Sequence, residues 1–120
     1  MSAKLSTHVL DTMNGRPAAG VALSLWRRSS DGESWTLLVE TITNADGRTD
    51  APLLQGTQLL AGVYEIRFRI GAYFAARGVA AGQPAFLDEV PVRFGIADPT
   101  AGYHVPLLAT PWSYGTYRGS

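Results

Sequence analysis

Turn-forming residues interrupt this chain about every ten positions, which leaves room for short strands and little else. Asn14-Gly15-Arg16-Pro17, Ser30-Asp31-Gly32 and Ala45-Asp46-Gly47-Arg48 are the clearest interruptions. The Asp-Gly pair in the last of them marks a tight turn. Between turns, hydrophobicity alternates with period two, the repeat of a strand that buries one face. The alternation is cleanest over 63–70, where Tyr64, Ile66, Phe68 and Ile70 interleave with Val63, Glu65, Arg67 and Arg69. That strand should bury the first set and leave Glu65, Arg67 and Arg69 as a wet face.

The same reading places strands at 4–11, 21–28, 35–43, 63–70, 86–94, 103–109 and 112–118, with a short one near 52–54. Ala72-Tyr73-Phe74-Ala75-Ala76-Arg77, bounded by Gly71 and Gly78, changes the period and reads as a helix of about two turns, stable only when packed. The predicted fold is therefore all-β: a two-sheet antiparallel sandwich of about seven or eight strands with one short helix. At 120 residues the chain is expected to form one domain, 1–120, which can bury roughly 65% of the surface its unfolded form exposes.

Composition narrows the functions. Lysine plus arginine equals aspartate plus glutamate, so the formal net charge is zero. Nucleic-acid and membrane-surface binders rely on long-range attraction that such a chain lacks, so neither partner is expected. With no cysteine, disulfides, thiolate nucleophiles and cysteine-ligated metals are excluded. The N-terminal segment shows no long apolar stretch, so neither a signal peptide nor a transmembrane span is expected, and the expected location is cytoplasmic.

Both histidines fall inside strand-like runs: His8 in Leu5-Ser6-Thr7-His8-Val9-Leu10, and His104 in Tyr103-His104-Val105-Pro106-Leu107-Leu108. Histidine exchanges protons near neutral pH, so a domain with both its histidines in strands is a candidate enzyme. Pro106 cannot donate to a strand ladder, so its nitrogen must face a gap, a bulge or an edge. Trp26, Trp35 and Trp112 read as core or interface anchors, and Tyr73-Phe74 as packing. Two histidines with no carboxylate at ligand spacing do not suggest zinc, and no cofactor is expected.

Four stretches together resemble one family. His8-Val9-Leu10-Asp11-Thr12 followed by Gly15-Arg16-Pro17-Ala18, then Asn44-Ala45-Asp46-Gly47-Arg48, then Tyr103-His104-Val105-Pro106-Leu107-Leu108, and the final Tyr117-Arg118-Gly119-Ser120, are similar to motifs of the 5-hydroxyisourate hydrolases, the transthyretin-related enzymes of urate breakdown. The motifs occur in the family's order and span nearly the whole chain. The chain departs from the family at Gly115, where serine is common, and at Trp112.

The resemblance implies a transthyretin-like sandwich assembled as a homotetramer, a dimer of dimers, with the pocket where two dimers meet. It also implies a sheet in which the first strand lies beside the His104 strand, which lies beside the last. Given that order, period two turns Ser6, His8 and Leu10 outward with His104, Pro106 and Leu108, and with Gly115 and Tyr117. Arg48 arrives from the adjacent turn. The implied substrate is 5-hydroxyisourate, whose lactam is opened by water. His8 and His104 are then the candidate base and acid, with His104 favoured as base because the Pro106 irregularity frees its surroundings. Arg48 is the anion clamp. Ser120 offers a hydroxyl and the terminal carboxylate, and Tyr117 and Arg118 fix the tail and line the pocket. The competing expectations are a transthyretin-like carrier without catalysis and an immunoglobulin-type interaction domain.

Overall fold

The computed structural model describes residues 3–79 and 82–119. Among these residues, nine strands and one α-helix follow in order, with a single 3-10 turn (Gly56–Gln58) after β5: β1 (Lys4–Asp11), β2 (Arg16–Pro17), β3 (Ala22–Arg28), β4 (Trp35–Ile42), β5 (Leu54–Gln55), β6 (Gly62–Arg69), α1 (Ile70–Ala76), β7 (Glu89–Ile96), β8 (Tyr103–Ala109) and β9 (Tyr114–Thr116). They form two sheets. One runs β2-β1-β8-β9, with β5 also paired to β1; the other runs β4-β3-β6-β7. Every pairing is antiparallel except that of β1 with β8, which is parallel.

The core lies between the sheets. Leu5, Val9 and Leu107 meet Leu25, Tyr64, Ile66, Phe68 and Val90, all essentially without solvent contact. Each such side chain contributes about 1.5–3 kcal/mol by leaving water. The alternation over 63–70 thus buries the set expected of it. The opposite face is wet only in part: Arg69 is exposed and Arg67 half-buried, but Glu65 is not wet. Glu65 is buried at 6% exposure, held by Arg67 at 2.9 Å and Arg93 at 3.1 Å. The Arg67 guanidinium lies 4.4 Å from the Trp26 ring and Arg93 4.9 Å from that of Trp35. Trp26 and Trp35 are therefore not core residues: they roof a charge cluster on the outside of the second sheet. Trp112 is half exposed in the β8–β9 turn.

α1 starts directly from β6 and buries Ile70, Tyr73 and Phe74. Gly71 lies inside it rather than bounding it, because a Cβ there would stand 2.8 Å from the Leu87 carbonyl oxygen. Tyr73 donates its hydroxyl proton to Asp11 at 2.8 Å, pinning the helix to the end of β1.

The last strand is shorter than 112–118 for two local reasons. The Thr110 hydroxyl accepts from the backbone of Trp112 and Ser113, which holds both in a turn. Beyond Thr116 the register brings Tyr117 opposite Pro106, which has no N–H to give. Pairing resumes at Gly119, whose N–H donates to the His104 carbonyl at 2.7 Å. Pro106 thus faces a gap in the ladder, and the Thr116 hydroxyl caps its carbonyl at 2.7 Å.

Candidate active site

Strand parity and register build the site. On β1, Leu5, Thr7, Val9 and Asp11 are buried, while Ser6, His8 and Leu10 face away from the core. β8 lies alongside in register, with Ser6 beside His104, His8 beside Pro106 and Leu10 beside Leu108. On the far side of β8, Leu108 pairs with Gly115 and His104 with Gly119. Opposed strand residues share a face, so Gly115, Tyr117 and Gly119 join the surface that carries the histidines.

Arg48 reaches that surface because its turn is bonded to β1. Asn44 organises the turn, accepting at its side-chain oxygen from the N–H groups of Asp46 (2.9 Å) and Arg48 (3.2 Å). Gly47 has φ +75°, a left-handed conformation open to glycine. A Cβ on it would lie 2.4 Å from the Val9 carbonyl oxygen. That close approach lets Val9 N–H donate to the Gly47 carbonyl at 2.8 Å. It also places Arg48 opposite His8, whose Nε2 donates to the Asp46 carbonyl at 2.9 Å.

His104 is more enclosed. Its Nδ1 lies 2.8 Å from the Ser6 hydroxyl. Burial lowers its affinity for a proton, and the nearby charges of Arg48 and His8 lower it further. His104 is therefore a neutral imidazole around neutral pH, free to accept or pass a proton. Arg48 is solvent-exposed, and the ion pairs among the described residues belong to Glu65, not to it. A guanidinium with no ion pair among the described residues, beside two imidazoles, is suited to an anion or to a carbonyl gaining negative charge.

Tyr117 lies on the same surface at 59% exposure. Arg118 turns the other way: its guanidinium lies 4.1 Å from the Tyr103 ring and donates to the Gly102 carbonyl, which ties down the tail from the face opposite the histidines. Ser120 lies outside the described residues. Three contributors were not read from the sequence. Ser6 has the parity of His8 but becomes visible only once β1 and β8 are known to run in register. Asp46 acts through its carbonyl. Gly119 presses on His104 so closely that a Cβ would stand 2.8 Å from Cδ2.

A depression of about 700 Å³ lies by the β3–β4 hairpin and Gly62, away from the histidines. Among the described residues no three His, Cys, Asp or Glu side chains come together in a way that would hold a metal ion, and no helix is long and apolar enough to cross a membrane.

The HIUase/Transthyretin family matches residues 5–119. The chain is 52% identical, over the whole of both chains, to the 5-hydroxyisourate hydrolase of Halalkalibacterium halodurans. Among solved structures, (S)-allantoin synthase superposes with a TM-score of 0.93 at 46% identity, covering 99% of this chain, which spans 44% of that protein. Sea bream transthyretin in complex with thyroxine superposes with a TM-score of 0.85 at 32% identity, over 98% of this chain and 95% of that one.

Proposed function

Because the chain belongs to the HIUase/Transthyretin family, we propose that it hydrolyses 5-hydroxyisourate to 2-oxo-4-hydroxy-4-carboxy-5-ureidoimidazoline, a step of urate breakdown. The observation that carries this reading is the β1–β8 register, which gathers His8, His104 and Arg48 on one surface. Water adds to the lactam carbonyl, the C–N bond breaks, and the leaving nitrogen takes a proton. That needs a base for water, a cation for the oxygen that becomes negative, and an acid for nitrogen. The two imidazoles supply base and acid, and Arg48 the cation. Tyr117 lines the ring site, Arg118 holds the tail beside it, and Ser120 contributes its hydroxyl or carboxylate.

The chain acts as one domain, 1–120, in the cytoplasm. A sheet face open to solvent does not exclude water, so a second copy must roof it. Leu10 and Leu108 flank the histidines with apolar area suited to such a partner. A homotetramer built as a dimer of dimers brings two copies of this face together across a two-fold axis.

The test is to generate 5-hydroxyisourate with urate oxidase and follow its optical decay. Catalytic amounts of the protein should accelerate decay and leave the ureidoimidazoline as product. Decay at the spontaneous rate, with tight binding of an aromatic ligand, would instead make this chain a carrier like its 32%-identical structural neighbour.

A further inference from the structure

We propose that Ser6 is a positioning residue: its hydroxyl donates to Nδ1 of His104 and holds that imidazole as the Nε2–H tautomer, so that a proton donor faces the substrate. The kinetic consequence rests on the hydrolase reading above, whereas the geometry does not. Ser6 and His104 are register partners on β1 and β8, with Oγ 2.8 Å from Nδ1 and both side chains half-buried. A hydroxyl has one proton to give, and an imidazole nitrogen lone pair is a better acceptor than a hydroxyl oxygen. Among the described residues the Ser6 hydroxyl makes no other hydrogen bond. With the Ser6 proton directed at Nδ1, as proposed, the neutral ring carries its own proton on Nε2.

The tail clamps the opposite flank. Gly119 stands against Cδ2 of His104, where a Cβ would come within 2.8 Å, and its N–H holds the His104 carbonyl. With Nδ1 held on one side and Cδ2 on the other, the free edge of the ring is Cε1–Nε2.

His8 is fixed in the complementary sense. A carbonyl oxygen only accepts, so the 2.9 Å contact with Asp46 puts a proton on Nε2 of His8, and in the neutral ring Nδ1 keeps a lone pair. In that form the two imidazoles present opposite polarity: His8 an acceptor, the base for water, and His104 a donor, the acid for the leaving nitrogen. This reverses the assignment that the Pro106 irregularity favoured.

Two-bond 1H–15N correlation spectra of the full chain, labelled at its two histidines and recorded above their titration, read the tautomers directly. Wild-type His104 should appear as Nε2–H, Ser6→Ala should give a tautomer mixture, and Ser6→Thr, which keeps the hydroxyl, should restore the wild-type pattern. In parallel, Ser6→Ala should lower kcat about tenfold, the worth of roughly one hydrogen bond, with KM changed less than about twofold. Nδ1–H on wild-type His104, or a Ser6→Ala protein with unchanged tautomer and kcat, overturns the proposal, as does a Ser6→Thr protein that behaves like Ser6→Ala. A wild-type protein that leaves 5-hydroxyisourate untouched removes the hydrolase reading, and the spectra still decide for or against Ser6.

Discussion

Replacing Gly119 with alanine drives a carbon atom into the His104 ring. The new Cβ would lie 2.8 Å from Cδ2, 3.2 Å from Cβ and 3.3 Å from Cγ of that residue. Carbon pairs settle at about 3.5–4.0 Å, so tail and ring must separate by roughly 0.7 Å or more. The ring resists turning because Ser6 holds Nδ1, and the tail resists lifting because Gly119 N–H is bonded to the His104 carbonyl at 2.7 Å. Losing that backbone bond costs about 1 kcal/mol, a fall in Tm of about 4 °C for a chain of this size. The rate should suffer more, since a displacement of order 1 Å at a catalytic group costs up to ~10². We expect Gly119→Ala to lower kcat by ~10–10² with little loss of Tm, measured by decay of 5-hydroxyisourate and by thermal melts. A double-mutant cycle identifies the cause. In a His104→Ala background Cγ and Cδ2 are gone, so the Gly119→Ala stability penalty should largely disappear. Wild-type kcat in Gly119→Ala, or an undiminished penalty without the ring, would refute the contact.

The remaining predictions concern charge and backbone. The His104 imidazolium is disfavoured first by burial and then by Arg48 and His8; Arg48→Gln should therefore raise the His104 titration midpoint while leaving it below that of an ordinary histidine, as followed by NMR, and a midpoint that stays or falls contradicts the juxtaposition. Burial alone would push the Asp11 carboxyl up, but hydrogen bonds from the side chain and backbone of Asn14 and from Tyr73 outweigh it and hold it below the usual carboxylate range. A carboxylate depressed by folding stabilises the protein above its unfolded value, and that stability is lost as pH falls through the folded one. Asp11→Asn should thus cost roughly 1.5–3 kcal/mol at neutral pH in urea unfolding, with a weaker acid dependence than wild type. Gly47→Ala has both φ +75° and a 2.4 Å clash with the Val9 carbonyl against it; it should cost more than about 3 kcal/mol, read as a large fall in the urea midpoint, and a neutral outcome would mean that the turn is not seated on β1.

Period two carried most of the fold. It placed β1, β3, β6 and β8 to within a residue or so, because a one-residue error would turn every side chain to the wrong face. It failed where the face was known but its cover was not: Glu65 is held by Arg67 of its own strand and by Arg93 of β7, and Trp26 and Trp35 from β3 and β4 lie against those arginines. Alternation put His8 and His104 on outward faces, yet it could not make those faces neighbours. That step needed β1 beside β8, a neighbourhood the family resemblance implied and local pattern did not; the parallel direction of that pair departs from the all-antiparallel sandwich expected. Ser6 was missed for the same reason, since its partner is far away in the chain and only register joins them. Strict parity would have separated Arg118 from Tyr117, and the structure does separate them: Tyr117 is on the histidine surface, Arg118 over Tyr103.

The most direct measurement is turnover of 5-hydroxyisourate by His8→Ala and His104→Ala, each shown by circular dichroism to be folded. Both should lose ~10²–10⁴ in kcat, the span for a positioned acid or base. Either variant turning over at the wild-type rate would contradict a site built on the paired imidazoles.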